Sequence, residues 1–438
     1  MSLKYYKPCL TPLILFWLCI FGGLSSQAAG ESFKINQADS LEMLDEKVVL
    51  QGNVSVSSTG EDRFTLLTDK LISLKDSSGQ YGDIECFGVS RIVSARFNLR
   101  ANKLFFRKDK STGQYNRLDA SGAVLIEAKD GTQKIEAPEV QIDLLNKKLY
   151  ASQNVCSEQL MRDKDKTQRV KISSDRQEID LTQGDENNAT KTSSKQLIAT
   201  GHVQTLLEGE VTVESQLAEI FKLNGKAEKA VFTGGASLNA TDGSYAQADI
   251  INYYLDQKLL HLQQADTNLQ KAKLTKPDGT EILGQSIKYN SENRHLFVQS
   301  SPGQEASLKI PYKENDGSMA LMSIQADIIE NTEQSPTESL LTAHRDTEEG
   351  LVQLNYGLKK GWGRHLFIKQ NKDVADKKAD YLLLIEEARI FDAEKNQDLK
   401  APVIKIGLGQ KNLQSGFTGR AEGYLPMDKA SNSKKTKR

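Results

Sequence analysis

The sequence predicts an all-β protein built from stacked antiparallel strands, and three observations lead to that fold class. Apolar and polar residues alternate with a period of two, as where Ser55 separates Val54 from Val56, and this pattern is typical of strands with one buried face. Turn sequences of the Asn-Gly or Asp-Gly type, such as 130–131 and 224–225, separate these segments. No long segment has the 3.6-residue apolar spacing of an amphipathic helix.

The composition narrows the class of protein further. The 438 residues include 57 Lys and Arg against 58 Asp and Glu, which gives a net charge of −1, and 38% of them are hydrophobic. A chain with balanced charge has no bulk attraction for nucleic acid or for an anionic membrane. The hydrophobic fraction is too high for a disordered protein and too low for a polytopic membrane protein. We therefore expect a sheet protein without a nucleic-acid partner.

The first 28 residues have the layout of a secretory signal peptide. Lys4 and Lys7 precede the apolar run 13–21, and Ser26 and Ala28 supply the small residues of a cleavage site. The apolar run is short for a bilayer span, which needs about 20 residues. We predict export with cleavage of this segment. An uncleaved inner-membrane anchor is the alternative, because no charge interrupts the apolar stretch.

A longer repeat is superimposed on the period-two alternation. A small residue followed by an acid recurs before apolar residues at Asp39, Asp69, Asp175, Asp249 and Asp327. A glycine that leads into a strand recurs at Gly52, Gly122, Gly201 and Gly235. Each unit is predicted to be a strand that begins at the acid, a variable turn, a second strand and a glycine corner. One such unit cannot bury its apolar face alone, so the units must stack.

The repeat and the composition predict six segments. These are a signal peptide at 1–28, a β module at 29–157, a partly stranded segment with a polar linker at 158–195, a second β module at 196–312, a divergent β region at 318–425 and a basic disordered tail at 426–438.

Cys86 and Cys156 are the cysteines that remain after export. They are 70 residues apart, close to two repeat lengths. Equivalent sites two rungs apart in a strand stack are separated by about 9.6 Å, which is beyond the reach of a disulfide. We therefore expect two buried free thiols.

The ordered recurrence of Ala-Asp-x-Leu and Gly-Asn-Val-x-Val behind a signal peptide resembles the OstA-like family, which contains the periplasmic lipopolysaccharide-transport bridge protein and its relatives. The clearest stretches are 38–74 and 196–262. The resemblance implies an all-β, OstA-like β-jellyroll, a V-shaped stack of antiparallel strands, here in two to three consecutive modules. It also implies a periplasmic carrier that shields lipid acyl chains and joins partners through open sheet edges.

The physics of lipid transfer agrees with that implication. Each acyl CH₂ group in water costs about 0.8 kcal/mol, and the inward residues of alternating strands could form an apolar trough that shelters it. The candidate lining residues are Val54, Val56, Phe64, Leu66, Val124, Ile126, Ile135, Val203, Val211, Val213, Ile251 and Tyr253. Each of them can equally be plain core, because strand periodicity does not separate a filled core from an open groove. The expected partners are lipopolysaccharide or a related glycolipid, other transport proteins through edge-strand pairing, and a second copy of the chain.

The residues give no support for catalysis or for a cofactor. None of the five histidines forms the paired spacing of a metal site. The chain has neither a Gly-x-Ser-x-Gly nucleophile elbow nor a Gly-x-x-x-x-Gly-Lys phosphate loop. We predict a protein that is not an enzyme and has no cofactor or metal. The cations around Trp362 are interpreted as an exposed turn, with contact to phosphorylated sugars as the alternative.

Two other classes of protein remain open from the sequence. A structural or adhesive surface β-solenoid would need regular rungs and a protective cap, whereas these repeats vary in length. A polysaccharide-cleaving β-helix enzyme would need acids that converge on one face, and the sequence shows no such set.

Overall fold

The computed structural model describes residues 33–424 with several gaps. The residues left out within this range are 59–63, 76–80, 96, 110, 113, 130, 132, 164–165, 182–193, 208–209, 224–225, 256, 266–269, 302, 314–318, 336–337, 347–349, 372–380, 409–415 and 419–421. The predicted signal peptide, the linker residues 182–193 and the predicted basic tail lie outside the described residues.

The all-β prediction is confirmed. The described residues form thirty strands joined by turns, without a helix. Accordingly, this part of the chain contains no helix with the length and apolar character needed to cross a membrane. The chain divides into two units between Ala236 and Ser237, a point inside the predicted second β module. The segment 158–195 contains the end of the strand Lys148–Asp163 and the whole of its partner Lys166–Asp180, and the predicted module boundaries stay predictions.

Unit 1 contains twelve strands and most of a thirteenth. They are β1 (Phe33–Gln37), β2 (Ser40–Met43), β3 (Lys47–Ser58), β4 (Phe64–Lys75), β5 (Tyr81–Ser94), β6 (Phe97–Lys108), β7 (Tyr115–Ala128), β8 (Gln133–Asp143), β9 (Lys148–Asp163), β10 (Lys166–Asp180), β11 (Ser194–Leu207), β12 (Val211–Leu223) and β13 (Lys226–Ala240). From β3 to β12 each strand pairs antiparallel with the next. Both β1 and β2 pair with β3.

The long strands of unit 1 bend near their middle, where the pairing register shifts. In β3, Gly52 and Asn53 have φ values of 77° and 46°, and the register against β4 jumps from Gln51 to Val54. Such a bulge turns the strand, so that its two halves belong to different ladders of hydrogen bonds. Ladder A is the set of paired residues that lie, across all these strands, on the same side of the bends as Val56 of β3. Ladder B is the set of paired residues on the opposite side of the bends, which includes Leu50 of β3.

The repeated acids and glycines of the sequence meet at these bends. A Cβ atom on Gly201 would overlap the carboxylate of Asp175, and one on Gly52 would overlap that of Asp39. The residue after each of these two glycines also contacts the acid. Asn53 Nδ2 donates to Asp39 Oδ2 at 3.0 Å, and Nδ1 of His202 is hydrogen-bonded to Asp175 Oδ2 at 2.9 Å. The same close approach joins Gly88 to Asp69, Gly122 to Asn102 and Gly234 to Gln216.

The prediction that these acids begin strands holds for Asp39 and Asp327, which directly precede the strands that start at Ser40 and Ile328, and is wrong for the acids within long strands. Asp69 lies in the middle of β4 and Asp175 in the middle of β10. The pairing register shifts at each of these bends, between Leu67 and Lys70 in β4 and between Ser173 and Arg176 in β10, and this shift interrupts the period-two alternation, so one bent strand has the sequence pattern of two short strands. The repeat unit of unit 1 is therefore a single long strand with a central bend.

Where unit 1 has long bent strands, most of the strands in unit 2 are short. They are β14 (Tyr245–Tyr254), β15 (Leu259–Gln263), β16 (Ala272–Thr275), β17 (Glu281–Gly284), β18 (Ser286–Asn290), β19 (Leu296–Gln299), β20 (Ala306–Lys313), β21 (Met319–Ala326), β22 (Ile328–Ser335), β23 (Glu338–His344), β24 (Val352–Tyr356), β25 (Lys359–Gly363), β26 (His365–Asn371), β27 (Tyr381–Asp392), β28 (Gln397–Gly407), β29 (Gly416–Thr418) and β30 (Glu422–Tyr424).

Two ladders result in unit 2, and the long strands β14 and β27 belong to both. Ladder C runs through β15, β18, β19, β22, β23 and β26. Ladder D runs through β16, β17, β20, β21, β24 and β25. At three corners a single residue, Gln285, Asp327 or Arg364, separates a strand of ladder D from the next strand of ladder C. β28 continues from β27 and pairs with β29 and β30.

A glycine substitution tests the bend. We expect Gly201→Ala to lower the free energy of unfolding by roughly 2–3 kcal/mol, because it adds overlap with Asp175 to the strain of a positive φ. Gly131→Ala is the matched control, since Gly131 has a φ of 70° but no neighbouring atom within 4 Å of the added Cβ. This control should lose only about 1 kcal/mol. Urea unfolding measures both values, and equal losses would contradict the close packing of glycine and acid.

Candidate functional site

One row of side chains crosses unit 1 on ladder A, at right angles to the strands. Row 1 consists of Ile35, Val56, Leu66, Ile92, Leu99, Ile126, Ile135, Ser157, Ile172, Thr205 and Val213. Successive members are direct partners on adjacent strands, so their side chains are in contact range. Ten spacings of about 4.8 Å make the row roughly 48 Å long.

Two further rows cross unit 1 on ladder B. Row 2 consists of Leu41, Leu50, Leu71, Cys86, Leu104, Ala120, Val140, Ala151, Gln177, Ala199 and Ala218. Row 3 consists of Met43, Val48, Ser73, Ile84, Phe106, Leu118, Ile142, Leu149, Ile179, Leu197 and Ile220. Both rows are mainly apolar, as expected for the inward positions of alternating strands.

An aromatic cluster shows that ladders A and B face each other. Phe64 lies on ladder A and Phe106 on ladder B, and their parallel rings have centroids 6.3 Å apart. Phe33 packs edge-on against both rings, at 6.0 and 6.3 Å. Tyr115 contacts Phe33 at 5.5 Å and Phe106 at 6.1 Å. These four rings close the space between the ladders at the strand ends that lie far from the bends.

The predicted lining residues lie at inward positions. Nine of them are buried: Val54, Val56, Leu66, Val124, Ile126, Ile135, Val203, Val213 and Ile251. Phe64, Val211 and Tyr253 are half-buried. Row 1 brings together Val56, Leu66, Ile126, Ile135 and Val213 of this set. Their role in binding stays a prediction.

Ile251 and Tyr253 belong to unit 2, where ladder C has rows of its own. One row consists of Ile251, Leu262, Ile287, Val298, Ile329, Ala343, Leu366, Leu384 and Ile404, each at most 1% exposed. Ladder D packs directly on this row: a Cβ on Gly361 would lie 2.9 Å from Cδ1 of Leu384. The interior of unit 2 is therefore filled by side chains from both ladders.

The interior of unit 1 is closed to water in the described residues. Val54, Val56 and Leu66 are 1%, 2% and 0% exposed. Side chains on the walls of an open trough would retain far more contact with solvent. In the part of the chain that the structure describes, the predicted lining of unit 1 therefore forms a closed apolar interior between two ladders.

The rows of unit 1 are open at one end. Their first members are exposed on the edge strands β1 and β2: Ile35 by 45%, Leu41 by 53% and Met43 by 67%. Exposed apolar residues on a sheet edge favour pairing with another chain or with an apolar ligand. The sequence carried a signal for this feature, because Leu41 follows the first Ala-Asp pair, but it did not reveal that the three rows reach the surface together.

Several buried polar groups interrupt the apolar interior, and sequence reasoning missed them. Thr68 and Ser90 satisfy each other, with 2.9 Å between their hydroxyl oxygens. The amide of Gln177 donates to the carbonyl of Ile172 at 3.0 Å, whereas its own Oε1 has no partner among the described residues. Thr205 Oγ1 likewise has none. Unpaired polar atoms in an interior raise its free energy, so these two sites favour a water molecule or a polar guest.

Many ionisable side chains of the described residues form ion pairs across neighbouring strands. In the part of the chain that the structure describes, no three His, Cys, Asp or Glu side chains are placed to hold a metal ion. Glu281 is representative, because it accepts hydrogen bonds from Lys273 and Lys309. These bonds lower the pKa of Glu281 to about 2. The charges therefore stabilise the outer faces of neighbouring strands.

Cys86 and Cys156 are both free, but only Cys86 is buried. The expectation of a buried Cys156 is wrong, because this side chain lies on the outward side of β9 beside Glu136 and Ser173. The expected spacing of two rungs is also wrong. β5 and β9 are four strand spacings apart, about 19 Å, which excludes a disulfide by a wider margin.

Among solved structures, the chain is similar to a periplasmic transport protein. That protein is LptH from Pseudomonas aeruginosa, the LptA-homologous periplasmic component of the conserved lipopolysaccharide transport device. The match has 14% sequence identity and a TM-score of 0.24, and it covers 35% of this chain and 92% of LptH. No family model matches the chain, and no curated protein matches it.

The two thiols test the closure of the interior. Burial, followed by the charge of Glu85, raises the pKa of Cys86 to about 12, so roughly one thiol in 10,000 is ionised at pH 8. The substitutions Cys9→Ser and Cys19→Ser remove the two cysteines of the predicted signal peptide, so that Cys86 and Cys156 are the ones left. In this variant we expect a thiol reagent to modify Cys156 and to spare Cys86 until urea unfolds the protein. Equal rates of modification at the two cysteines would contradict a closed interior.

Proposed function

We propose that this chain is a periplasmic carrier that holds the acyl chains of lipopolysaccharide or a related glycolipid between its facing ladders. In this role it bridges the inner and outer membranes and supports assembly of the outer membrane. The repeats that resemble the OstA-like family, together with the signal-peptide pattern, support the compartment and the substrate. The observation that carries the proposal is the set of apolar rows that run the length of unit 1 and emerge at its first edge.

The open end distinguishes these rows from an ordinary sheet core. A self-contained sheet normally protects its edge with charged residues, proline or a covering loop. Here Ile35, Leu41 and Met43 extend the interior rows onto the exposed edge. An apolar strip that reaches the surface can pass an acyl chain to a neighbouring strip without exposing it to water.

Binding requires the two ladders to separate, and their connection permits this. The backbone hydrogen bonds of the paired strands run within ladder A or within ladder B, and the bends connect the two. Moving the ladders apart therefore breaks side-chain contacts and leaves the hydrogen bonds of each ladder intact. An inserted chain of about twelve carbons restores apolar contact worth roughly 10 kcal/mol.

A photo-crosslinking experiment tests the interior as the binding site. Crosslinkers at Val56 and Leu66, which are direct partners on β3 and β4, should capture glycolipid in the cell, and so should one at Val213. Ser55 and Leu67 provide the matched control, because they are partners on the same two strands but on the opposite face. We expect at least tenfold more lipid adduct at the inward pair.

The proposal would be contradicted if both of the following results were obtained. The first is equal labelling of the inward pair and the outward pair. The second is an unchanged amount of surface lipopolysaccharide after depletion of the protein from its host.

The exposed edge predicts association. We expect Leu41→Lys to weaken self-association, or binding to another transport protein, by at least tenfold, because a charge would then have to enter an apolar contact. Leu145→Lys is the control, since Leu145 is 57% exposed in the turn between β8 and β9, away from the edge. Sedimentation across a concentration series measures the effect. A wild-type chain that stays monomeric and binds no transport component would contradict edge pairing.

A further inference from the structure

A cleft opens at the bend of β27 in unit 2, and the buried partners Ala388 and Ala401 form part of its lining. It has a volume of about 820 Å³, which is in the size range of small-ligand sites. Strands β25, β27 and β28 surround it. The lining residues used below are Trp362, Arg364, Glu386, Glu387, Arg389 and Lys400.

A row of outward side chains forms the floor of this cleft. Trp362, Arg389 and Lys400 are direct partners across β25, β27 and β28. Their sequence neighbours Ile390 and Gly361 are buried partners on ladder D, where Gly361 faces Leu384 of the interior row, so the three side chains lie on the opposite, outer face. The guanidinium carbon of Arg389 is 5.4 Å from the centre of the Trp362 ring, a cation–π contact that orients the indole.

The cations of the cleft are largely neutralised by carboxylates. Arg389 donates two hydrogen bonds to Asp398, at 3.0 and 2.7 Å. Arg364 donates two to Oε1 of Glu387, at 3.1 and 2.8 Å. With Lys400 and Glu386, three cations stand against three carboxylates around the cleft. This balance disfavours a phosphate group, which would have to displace a carboxylate from each arginine, and favours a neutral ligand that both donates and accepts hydrogen bonds.

The backbone is strained where the carboxylates enter the cleft. Glu386 and Glu387 have φ values of 57° and 55°, and the amide of Arg364 donates to the carbonyls of Ile385 and Glu386 at 3.1 and 3.0 Å. Five bends of unit 1 have a glycine with a positive φ and a sixth has Gln153 and Asn154, whereas this bend has two glutamates. The positive φ costs about 1 kcal/mol for each of them. Strain of this kind is concentrated at ligand sites.

We propose that this cleft binds a saccharide with free hydroxyl groups, with one sugar ring against Trp362. The apolar face of a sugar ring matches the flat indole, and its hydroxyl edge can donate to Glu386 and Glu387 and accept from Arg364 and Lys400. Saccharide binding here is independent of acyl-chain binding in the interior. The sugar could come from the head group of a glycolipid or from a free glycan.

Tryptophan fluorescence tests the cleft directly. The chain has two tryptophans, so Trp17→Phe leaves Trp362 as the only one. This variant is titrated to millimolar concentrations with maltotetraose, chitotetraose and the core oligosaccharide of lipopolysaccharide after full deacylation and dephosphorylation. We expect a saturable change in Trp362 emission with at least one probe. A response to the core oligosaccharide alone would point to a glycolipid head group, and a response to either neutral tetrasaccharide would point to free glycans.

Matched variants locate the binding. In the same background, Lys400→Gln or Glu386→Gln should weaken the affinity at least tenfold, since each removes a group that faces the ligand. Lys405→Gln should leave it unchanged, because Lys405 is exposed on the same strand and stacks on Tyr381, outside the cleft. The proposal is overturned if none of the three saccharides produces a saturable change, if Lys400→Gln behaves like Lys405→Gln, or if inorganic phosphate alone changes the emission. None of these probes carries an acyl chain, so their failure would leave the crosslinking test of the interior unaffected.

Discussion

The close packing of a glycine on the polar side chain of the neighbouring strand is the contact on which unit 1 depends. At Gly52 and Gly201 the backbone needs a positive φ, and the space that a Cβ would occupy is taken by Asp39 or Asp175. Each contact fixes a bend, and successive bends align because the strands are paired in register. The aligned bends divide every long strand between two ladders that face each other. Without them the strands would form one open sheet with an exposed apolar face.

This arrangement makes an interior that is narrow but long. Three rows of inward side chains cross unit 1, and an aromatic cluster with Phe64 and Phe106 closes the side opposite the bends. The bends bound one side of the interior and the rings bound the other near β1, β4, β6 and β7, whereas the end at β1 and β2 is left apolar and exposed. A core with that geometry suits the proposed transfer of acyl chains along the stack. In unit 2 the bend at Glu386 and Glu387 lines a cleft with charged side chains, which is the proposed saccharide site.

The sequence predicted the fold class and the inward faces because both depend on local alternation. Val56 and Leu66 were placed correctly at inward positions, since period two alone decides which face a residue occupies. The division into strands was wrong at Asp69 and Asp175, because a bulge breaks the alternation while the strand continues. Cys156 was misplaced for a related reason. Its distance from Cys86 depends on how many strands lie between the two residues, and the repeat predicted two strand spacings where the structure has four.

The sequence by itself determined that this chain is built from strands with one apolar face and that an acid and a glycine recur along it. These are properties of short segments, so they can be predicted without knowing which segments meet. Only the tertiary structure decided that the acid and the glycine touch, that the two halves of each strand face each other and that the rows reach the surface at Ile35, Leu41 and Met43. It also placed Trp362 beside Arg389, 27 residues away along the chain. Such contacts depend on pairing between strands, which is cooperative and not contained in any one segment.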